Sequence, residues 1–239
     1  MPTLSLLSSM ATSRVLGDLV APGALPGLPP VTLTSLGGVE VARQIRSGTV
    51  ADLVILASKA IGALDRDGLL APGTARALFR SEAVIAVPEG AECPDISTAG
   101  ALRQAVESAD RIGYSTGPSG DGLLGLLDRW GLGDELAGRL VQAEPGVPVG
   151  RLLAEGQVTI GIQQRGELQS VPGVAIVGSL PPGCEIMTVF SGAVLARSDE
   201  VAAATACLKR LSAPDVRDIA RRHGLDLVDP DHQATFDLT

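Results

Sequence analysis

Residues 112–124 have a composition suited to binding an anion. They read IGYSTGPSGDGLL, an apolar run that breaks into Ser, Thr and Gly and then resumes in a helical pattern. This order is typical of a strand, a loop and the start of a helix. A helix start has unpaired N–H groups and the positive end of the macrodipole, and both favour negative charge. We therefore predict ligand contacts from Tyr114, Ser115, Thr116, Gly117, Ser119 and Gly120.

Two loops nearer the N-terminus have the same character. The first contains Ser8, Ser9, Met10, Ala11 and Thr12, and the second contains Ser35, Gly37 and Gly38. A hydroxyl at such a position can cap the helix that follows. The other hydroxyls can bind ligand oxygens, and glycine lets a ligand approach the backbone N–H groups. We predict one capping hydroxyl in the first loop and ligand contacts from the rest, while the glycine pair could also serve only the turn.

Polar side chains at other segment ends leave two roles open. Ser58 and Lys59 follow the apolar run 53–57. Lys59 is either a solvated residue or a proton carrier, because burial readily lowers the pKa of a lysine. Arg80 forms either a salt bridge or a bidentate clamp on a carboxylate. Gln163 and Gln164 either donate to a ligand carboxylate or cap the end of a strand.

Composition excludes several classes of function. With 45% hydrophobic and 19% charged residues, the 239-residue chain should fold as a globule. A net charge of −8 with only two lysines argues against binding nucleic acid or anionic membranes, and 2% aromatic residues argue against base-stacking platforms. The three cysteines form no CxxC pair, and the only histidines are His223 and His232. We therefore expect no metal and no organic cofactor.

The ends of the chain and its apolar runs bear on location. No apolar run approaches the length of a membrane span, so we expect no membrane insertion. The N-terminus has neither a basic region nor a long apolar region. As written, the chain is predicted to be cytoplasmic, and it would be periplasmic if a signal peptide had been removed.

Short apolar runs alternate with amphipathic segments, which predicts an α/β fold. The predicted strands are 3–7, 31–35, 53–57, 83–87, 111–114, 140–142, 159–163, 174–177 and 187–195. The predicted helices are 12–20, 39–47, 59–65, 74–78, 99–109, 122–130, 149–154, 200–211 and 213–223. The polar loops fall at the carboxyl ends of several strands, where open α/β sheets bind ligands.

Two long apolar segments, 79–88 and 186–196, are candidates for passages between lobes. A chain that leaves one lobe and returns to it forms two lobes with a cleft between them. We predict residues 1–81 with 187–239 as lobe 1 and residues 82–186 as lobe 2. The ligand would then bind in the cleft.

A set of motifs in fixed order carries a resemblance that covers nearly the whole chain. The motifs are LLSSMAT at 6–12, SLGG at 35–38, DLVILAS at 52–58, GYSTGPSG at 113–120, GIQQRGEL at 161–168 and VPGV at 171–174. In this order and spacing the chain resembles the two-lobed type II periplasmic solute-binding fold, in the branch related to molybdate-binding proteins. That branch also includes enzymes of the aconitate isomerase type, which move a double bond within a tricarboxylate.

The resemblance implies two main functions. Molybdate binders usually have an Ala-Ala-Ser type loop after the first strand and a Tyr in the returning segment, whereas this chain has SSMAT at 8–12 and MTVFS at 187–191. We therefore expect a di- or tricarboxylate ligand and an isomerase of the aconitate type. The alternative is a non-catalytic solute-binding component of a molybdate-type ABC transporter, which would need an ABC permease as partner. A sensor of small anions is a third possibility.

An isomerase of this type needs a base. The base removes a proton from a carbon next to a carboxylate and returns it two carbons away, so one group can serve both steps. Helix N-termini would stabilise the charge that develops on the substrate. The candidates are Lys59, Tyr114, Glu144, Glu167 and a serine assisted by a neighbour, with Lys59 ranked first and Tyr114 second.

Overall fold

The computed structural model describes residues 2–228. The strands in this range are β1 (Leu4–Ser9), β2 (Val31–Leu36), β3 (Leu53–Ala57), β4 (Arg76–Pro88), β5 (Ile112–Tyr114), β6 (Leu140–Gln142), β7 (Ile160–Gln164), β8 (Val174–Ser179), β9 (Met187–Val194) and β10 (Asp226–Leu227). The α-helices in this range are α1 (Met10–Val20), α2 (Gly38–Arg46), α3 (Ser58–Arg66), α4 (Ala99–Ser108), α5 (Pro118–Trp130), α6 (Gly133–Leu136), α7 (Val149–Ala154), α8 (Arg165–Leu168), α9 (Val201–Leu211) and α10 (Arg217–Arg222). Short 3₁₀ helices lie at Ala137–Arg139 and Pro214–Val216.

The chain divides into two compact units. Unit 1 consists of the described residues of Met1–Arg80 and Val189–Thr239, and unit 2 consists of Ser81–Thr188. The chain passes from one unit to the other within β4 and within β9. We predict from the sequence that residues 1–81 with 187–239 form one lobe and residues 82–186 the other, and this division into domains stays a prediction.

The sheet of unit 1 is buried on both faces. β1 pairs in parallel with β2 and β3, β9 pairs antiparallel with β3, and β10 pairs antiparallel with β4. Alternate side chains of β3 enter two cores: Leu53 and Ile55 pack with α1 and α9, whereas Val54 and Leu56 pack with α2 and α3. Helices on both faces explain why 53–57 is a continuous apolar run rather than an alternating one.

Unit 2 repeats this arrangement with different helices. β5 pairs in parallel with β6 and β7, and β4 pairs antiparallel with β7 and β8. Ile85 of β4 belongs to the core that contains residues of α4 and α5. Its neighbours Val84 and Ala86 belong to the core that contains residues of α7 and α8. The period-two alternation of a strand thus divides the core of unit 2 between the two faces of the sheet.

The parallel strands place several helix starts at one edge of each sheet. In unit 1, α1, α2 and α3 begin within two residues of the ends of β1, β2 and β3. In unit 2, α5 and α8 follow the ends of β5 and β7, and α7 follows β6 after a longer loop. Carboxyl ends of parallel strands share an edge, so these helix starts cluster where α/β sheets bind ligands.

The predicted helix at 74–78 is wrong. The chain is extended from Arg76 onward, and Phe79 pairs with Leu227 of β10. Leu78 and Phe79 are fully buried, so the segment is set by partners far away in the sequence rather than by its own periodicity. Sequence reasoning also missed β10, α6 and α8.

Two further findings bear on sequence-based expectations. Within residues 2–228, no helix is both long enough and apolar enough to span a membrane. His232 lies outside the described residues, while His223 lies at the end of α10 and pairs with Asp18 at 2.8 Å.

Candidate functional site

The carboxyl edge of unit 1 carries a network of buried hydroxyl groups. The parallel register places Ser8 of β1 beside Ser35 of β2, and their Oγ atoms are 2.8 Å apart. Ser9 Oγ lies 3.4 Å from Thr12 Oγ1, and the Thr12 hydroxyl donates to the Ser9 carbonyl oxygen at 3.2 Å. Ser8, Ser9 and Thr12 are buried. The sequence therefore folds four of its predicted ligand residues into one polar cluster.

The helices that start at this edge have no side-chain caps. Ser9 is the N-cap residue of α1, yet its hydroxyl makes no capping hydrogen bond, so the predicted capping role is wrong. The starts of α2 and α3, at N-cap residues Gly37 and Ala57, also lack a side-chain cap. Met10 and Ala11 form the first turn of α1, and a Cβ at Gly38 would lie 3.8 Å from Ser9 Cβ. First-turn N–H groups that no side chain caps can donate to an anion.

Ser58 is joined to a residue that the sequence did not single out. Its Oγ lies 2.7 Å from Ser191 Oγ and donates to the carbonyl oxygen of Val189 at 3.0 Å. Ser191 lies on β9, next to β3, and is buried. Nothing in the local sequence marks Ser191, because its role comes from pairing across 133 residues. Lys59, the next residue, is exposed on the first turn of α3.

Arg80 forms a surface salt bridge in unit 1. Its Nη2 lies 3.6 Å from Asp226 Oδ2, and both side chains are about half exposed. The two residues are partners in the β4–β10 register. Of the two roles left open by the sequence, the structure shows the salt bridge.

The Ser- and Gly-rich loop of unit 2 is a tight turn onto α5. Ser115 Oγ lies 3.0 Å from Ser119 Oγ and accepts the N–H of Gly117 at 3.2 Å. Ser115, Ser119 and Gly120 are buried, and Thr116 and Gly117 are half-buried. A Cβ at Gly120 would lie 1.9 Å from the Ser115 carbonyl oxygen, so only glycine fits there. The start of α5 lacks a side-chain cap.

Tyr114 precedes this turn at the end of β5. It is half-buried, and its side chain packs against the core that contains Leu123 and Ile162. A Cβ at Gly120 would lie 3.2 Å from Tyr114 Cδ2, which places the ring edge against the start of α5. The structure thus brings the predicted residues of this loop together at one end of unit 2.

Two buried glutamines end β7 and are held differently. Gln163 Oε1 accepts the N–H of Val149, the first residue of α7, at 2.7 Å. Gln163 therefore caps a neighbouring helix, a role that was not predicted from the sequence. Gln164 Nε2 donates to Thr188 Oγ1 at 2.7 Å, while Gln164 Oε1 is buried without a hydrogen-bond partner. A buried amide atom with no partner is costly, so it points to a donor supplied by water or a ligand.

Glu167, one of the candidate bases, has an unusual environment. It lies in the first turn of α8. Burial raises its pKa from 4.5 to about 7, although a hydrogen bond from Gln163 acts in the opposite direction. Part of the residue remains accessible to solvent. A carboxyl group with a pKa near neutrality can accept and return a proton.

Neutral donors dominate both edges. In unit 2, Arg165 donates to Glu82 Oε1 at 2.7 Å and to Ser179 Oγ at 3.0 Å. In unit 1, the cationic residue Lys59 directly follows Ser58 in the sequence. Within residues 2–228, no group of three or more His, Cys, Asp or Glu side chains is placed to hold a metal ion. Hydroxyl and N–H groups can bind the oxygens of an anion through dipoles alone. That one ligand contacts both edges stays a prediction.

Comparison with known proteins places this arrangement in a family. Residues 26–226 match the model of the bacterial extracellular solute-binding protein family. An aconitate isomerase from Pseudomonas sp. is 32% identical over 231 residues, covering 93% of this chain and 87% of that protein.

Solved structures agree on the fold. The periplasmic molybdate-binding protein of Azotobacter vinelandii has a TM-score of 0.77 at 21% identity, covering 95% of this chain and 99% of the other. The substrate-binding domain of a putative molybdenum ABC transporter from Clostridium difficile has a TM-score of 0.74 at 17% identity, with the same coverage of 95% and 99%. The predicted α/β solute-binding-protein fold and its resemblance to molybdate-binding proteins are confirmed. The chain belongs to the bacterial extracellular solute-binding protein family.

Proposed function

We propose that this chain binds an aconitate-like tricarboxylate and isomerises it by moving a proton. The observation that carries the proposal is the 32% identity with an aconitate isomerase over nearly the full length of both chains. The site chemistry supports it, because the uncapped starts of α1, α2, α3 and α5 offer N–H donors beside hydroxyl groups. Carboxylate oxygens are acceptors that match such donors.

The helix starts of each unit supply candidate donors for substrate carboxylates. In unit 1, the hydroxyls of Ser8, Ser9 and Ser35 and the N–H groups of Met10 and Ala11 bind carboxylate oxygens. In unit 2, the hydroxyls of Ser115, Thr116 and Ser119 do the same, whereas the unpaired Gln164 Oε1 is itself an acceptor and needs a donor such as water. These groups are fixed before the substrate arrives, so they stabilise the charge of the transition state without reorganising.

The reaction itself is a proton shift with no net change in atoms. A base takes the proton from a methylene carbon next to a carboxylate, and the electrons of that C–H bond delocalise into the conjugated carboxylates. The double bond re-forms one position along, and the base returns the proton two carbons away. Lys59 and Tyr114 stay the predicted bases from the sequence, and the variants Lys59→Met and Tyr114→Phe test them.

Incubation with trans-aconitate tests the proposal. Purified protein should convert it to the cis isomer, measured by liquid chromatography, until the equilibrium ratio is reached from either isomer. The double variant Ser115→Ala with Ser119→Ala should lose most of this activity. Ser97→Ala, an exposed serine of unit 2, serves as the matched control. Conversion no faster than in heat-denatured protein would refute the proposal.

Binding of a molybdate-type oxyanion is the second candidate, favoured by the structural neighbours in the molybdate-binding group. Thermal-shift measurements distinguish the two, because the true ligand stabilises the folded chain by mass action. If molybdate stabilises the chain and tricarboxylates do not, the proposed function changes from an isomerase to a transport component that needs an ABC permease as partner.

Location follows the choice between these candidates. The description of the family as extracellular favours the periplasmic alternative over the cytoplasmic one. Cell fractionation of the native host with an antibody against the chain would decide between the two compartments.

A further inference from the structure

Glu167 occupies a position from which it can reach the ligand residues of unit 2. α8 begins at the residue after β7 ends, so its first turn lies at the carboxyl edge of the sheet. β5 and β7 pair in parallel with Tyr114 opposite Ile162, so Ser115 and Gln163 follow the last paired residues of two neighbouring strands. Adjacent strands are about 5 Å apart. A hydrogen bond from Gln163 acts on the pKa of Glu167, so the carboxyl group lies near the end of β7.

The orientation of the Gln163 amide is fixed by its other hydrogen bond. Gln163 Oε1 accepts the N–H of Val149 at 2.7 Å, and an N–H group requires an oxygen there. The amide nitrogen is then the atom that donates to Glu167. This bond holds the carboxyl group in place while leaving most of its acceptor positions unused.

The charged residues around Glu167 are already paired with other groups. On its own helix, Arg165 pairs with Glu82. On α7, which packs against α8, Arg151 pairs with Glu155. β7, the strand beneath α8, carries no charged residue. Among residues 2–228, no salt bridge includes Glu167, so no cation holds it permanently in the ionised form.

Two other polar groups in this segment also have unused hydrogen-bonding capacity. Gln164 Oε1 and Ser170 Oγ are buried and have no partner in the described part of the chain. Together with Glu167 they lie within seven consecutive residues, on both sides of α8. The Ser170 hydroxyl can donate to a substrate carboxylate, whereas Gln164 Oε1 is an acceptor and needs a donor such as water.

We propose that Glu167, held by Gln163, is the base that transfers the proton in the isomerisation; this inference rests on the proposed function. The Glu167 carboxylate takes the proton from the substrate carbon, becomes a neutral carboxylic acid, and returns the proton to the carbon two positions away. It ends the cycle ionised, and no oxidant or reductant takes part. Gln163 is a positioning residue, because it acts only through Glu167.

The pKa of Glu167 suits this role. Burial raises it to about 7, so both protonation states are populated at neutral pH. A base works best when its pKa lies near the operating pH. In contrast, Lys59 is exposed on unit 1, and Tyr114 packs its ring against the core of unit 2.

Three variants test the assignment: Glu167→Gln, Glu167→Asp and the control Glu89→Gln, which changes an exposed glutamate of the same unit. We expect Glu167→Gln to lower kcat by about 10²- to 10⁴-fold, the usual contribution of a general base. KM should change by less than about threefold, since the Gln side chain keeps the shape and hydrogen bonding of the original. Glu89→Gln should behave like the unmodified protein, and Glu167→Asp should retain part of the rate.

A second measurement separates catalysis from a structural role. In deuterated water the unmodified protein should exchange the substrate methylene protons, and Glu167→Gln should lose this exchange while keeping its circular dichroism spectrum. The rate should rise with pH around the Glu167 pKa of about 7. The pH at the midpoint of this rise should change in Glu167→Asp.

The possible failures are distinguishable. If Glu167→Gln converts and exchanges substrate at the unmodified rate, the role of Glu167 is overturned and the proposed function stands. If the unmodified protein converts neither isomer, the proposed function and this role fall together. A fall in rate matched by an equal fall in the folded fraction would also overturn the assignment, because a structural role then accounts for the loss.

Discussion

Replacing Glu167 with Gln should change how the stability of unit 2 depends on pH. Burial raises the folded pKa of Glu167 from 4.5 to about 7, so the folded chain holds this proton more tightly than the unfolded chain does. Stability is therefore highest below the unfolded pKa and falls as the pH rises through the folded pKa. Glutamine cannot ionise, so the variant lacks this fall.

The size of the effect follows from the two pKa values. A rise from 4.5 to about 7 corresponds to about 3 kcal/mol of stability lost above the folded pKa, at about 1.4 kcal/mol for each pH unit. Part of Glu167 remains accessible to solvent, and water screens the penalty. We therefore expect Glu167→Gln to gain about 1 to 3 kcal/mol over the unmodified protein between about pH 5 and about pH 8.5.

Urea unfolding at the two pH values measures this gain. Trp130 is the single tryptophan of the chain, lies on α5 and packs against a core of unit 2, so its fluorescence reports on the unit that contains Glu167. The contributions of other titrating groups cancel in the difference between variant and unmodified protein. The control Glu89→Gln should show no such gain. A difference between Glu167→Gln and the unmodified protein that stays constant across this pH range would refute the burial argument.

Three further predictions concern the turn and the networks around it. Gly120→Ala should destabilise the fold by at least about 3 kcal/mol in urea unfolding, because its Cβ would lie 1.9 Å from a carbonyl oxygen. The control Gly125→Ala lies on the same helix, where a Cβ meets nothing within 4 Å, and should raise the free energy of unfolding by up to about 1 kcal/mol. Equal effects of the two substitutions would contradict the clash. Ser115→Ala should weaken binding of trans-aconitate in calorimetry by about 1 to 3 kcal/mol, and an unchanged affinity would place the ligand elsewhere. Burial alone would raise the pKa of Asp52, but hydrogen bonds from Ser198 and Ser5 outweigh it and lower the pKa below 3.8. The Asp52 carboxylate therefore stabilises the fold above the unfolded pKa and loses this effect as the pH falls through the folded pKa. The loss of unfolding free energy caused by Asp52→Asn should thus be smaller at about pH 3 than at about pH 7. A loss that does not depend on pH would count against these hydrogen bonds.

The architecture was largely predictable from the sequence. The continuous apolar run of β3 requires burial on both faces, and the amphipathic segments on either side supply the helices that cover it. Local signals also marked the turn at Ser115 to Gly120, where Gly and hydroxyl residues follow a short strand. These features depend on neighbours within about ten residues, and the sequence displays such neighbours directly.

Prediction failed where local and distant information disagree. The sequence predicts a helix at 74–78, yet Leu78 and Phe79 are buried in a strand whose partner β10 begins at Asp226. The sequence also predicts that one hydroxyl of the first loop caps α1, but no side chain caps this helix, and the hydroxyl of the N-cap residue Ser9 lies near Thr12. In the first case a tertiary contact outweighs a local preference of about 1 kcal/mol, whereas the contact of Ser9 with Thr12 is itself local.

The sequence by itself determined the alternation of strands and helices and the placement of Ser, Thr and Gly where strands end. Tertiary structure decided the partners of the polar side chains: Ser58 bonds to Ser191, Gln163 to the backbone N–H of Val149, and Arg80 to Asp226. It also decided that burial raises the pKa of Glu167, only one of several candidate bases in the sequence, to about 7. The physical reason is that periodicity and turn chemistry are written in adjacent residues, whereas desolvation and hydrogen-bond partners arise only when distant segments pack together.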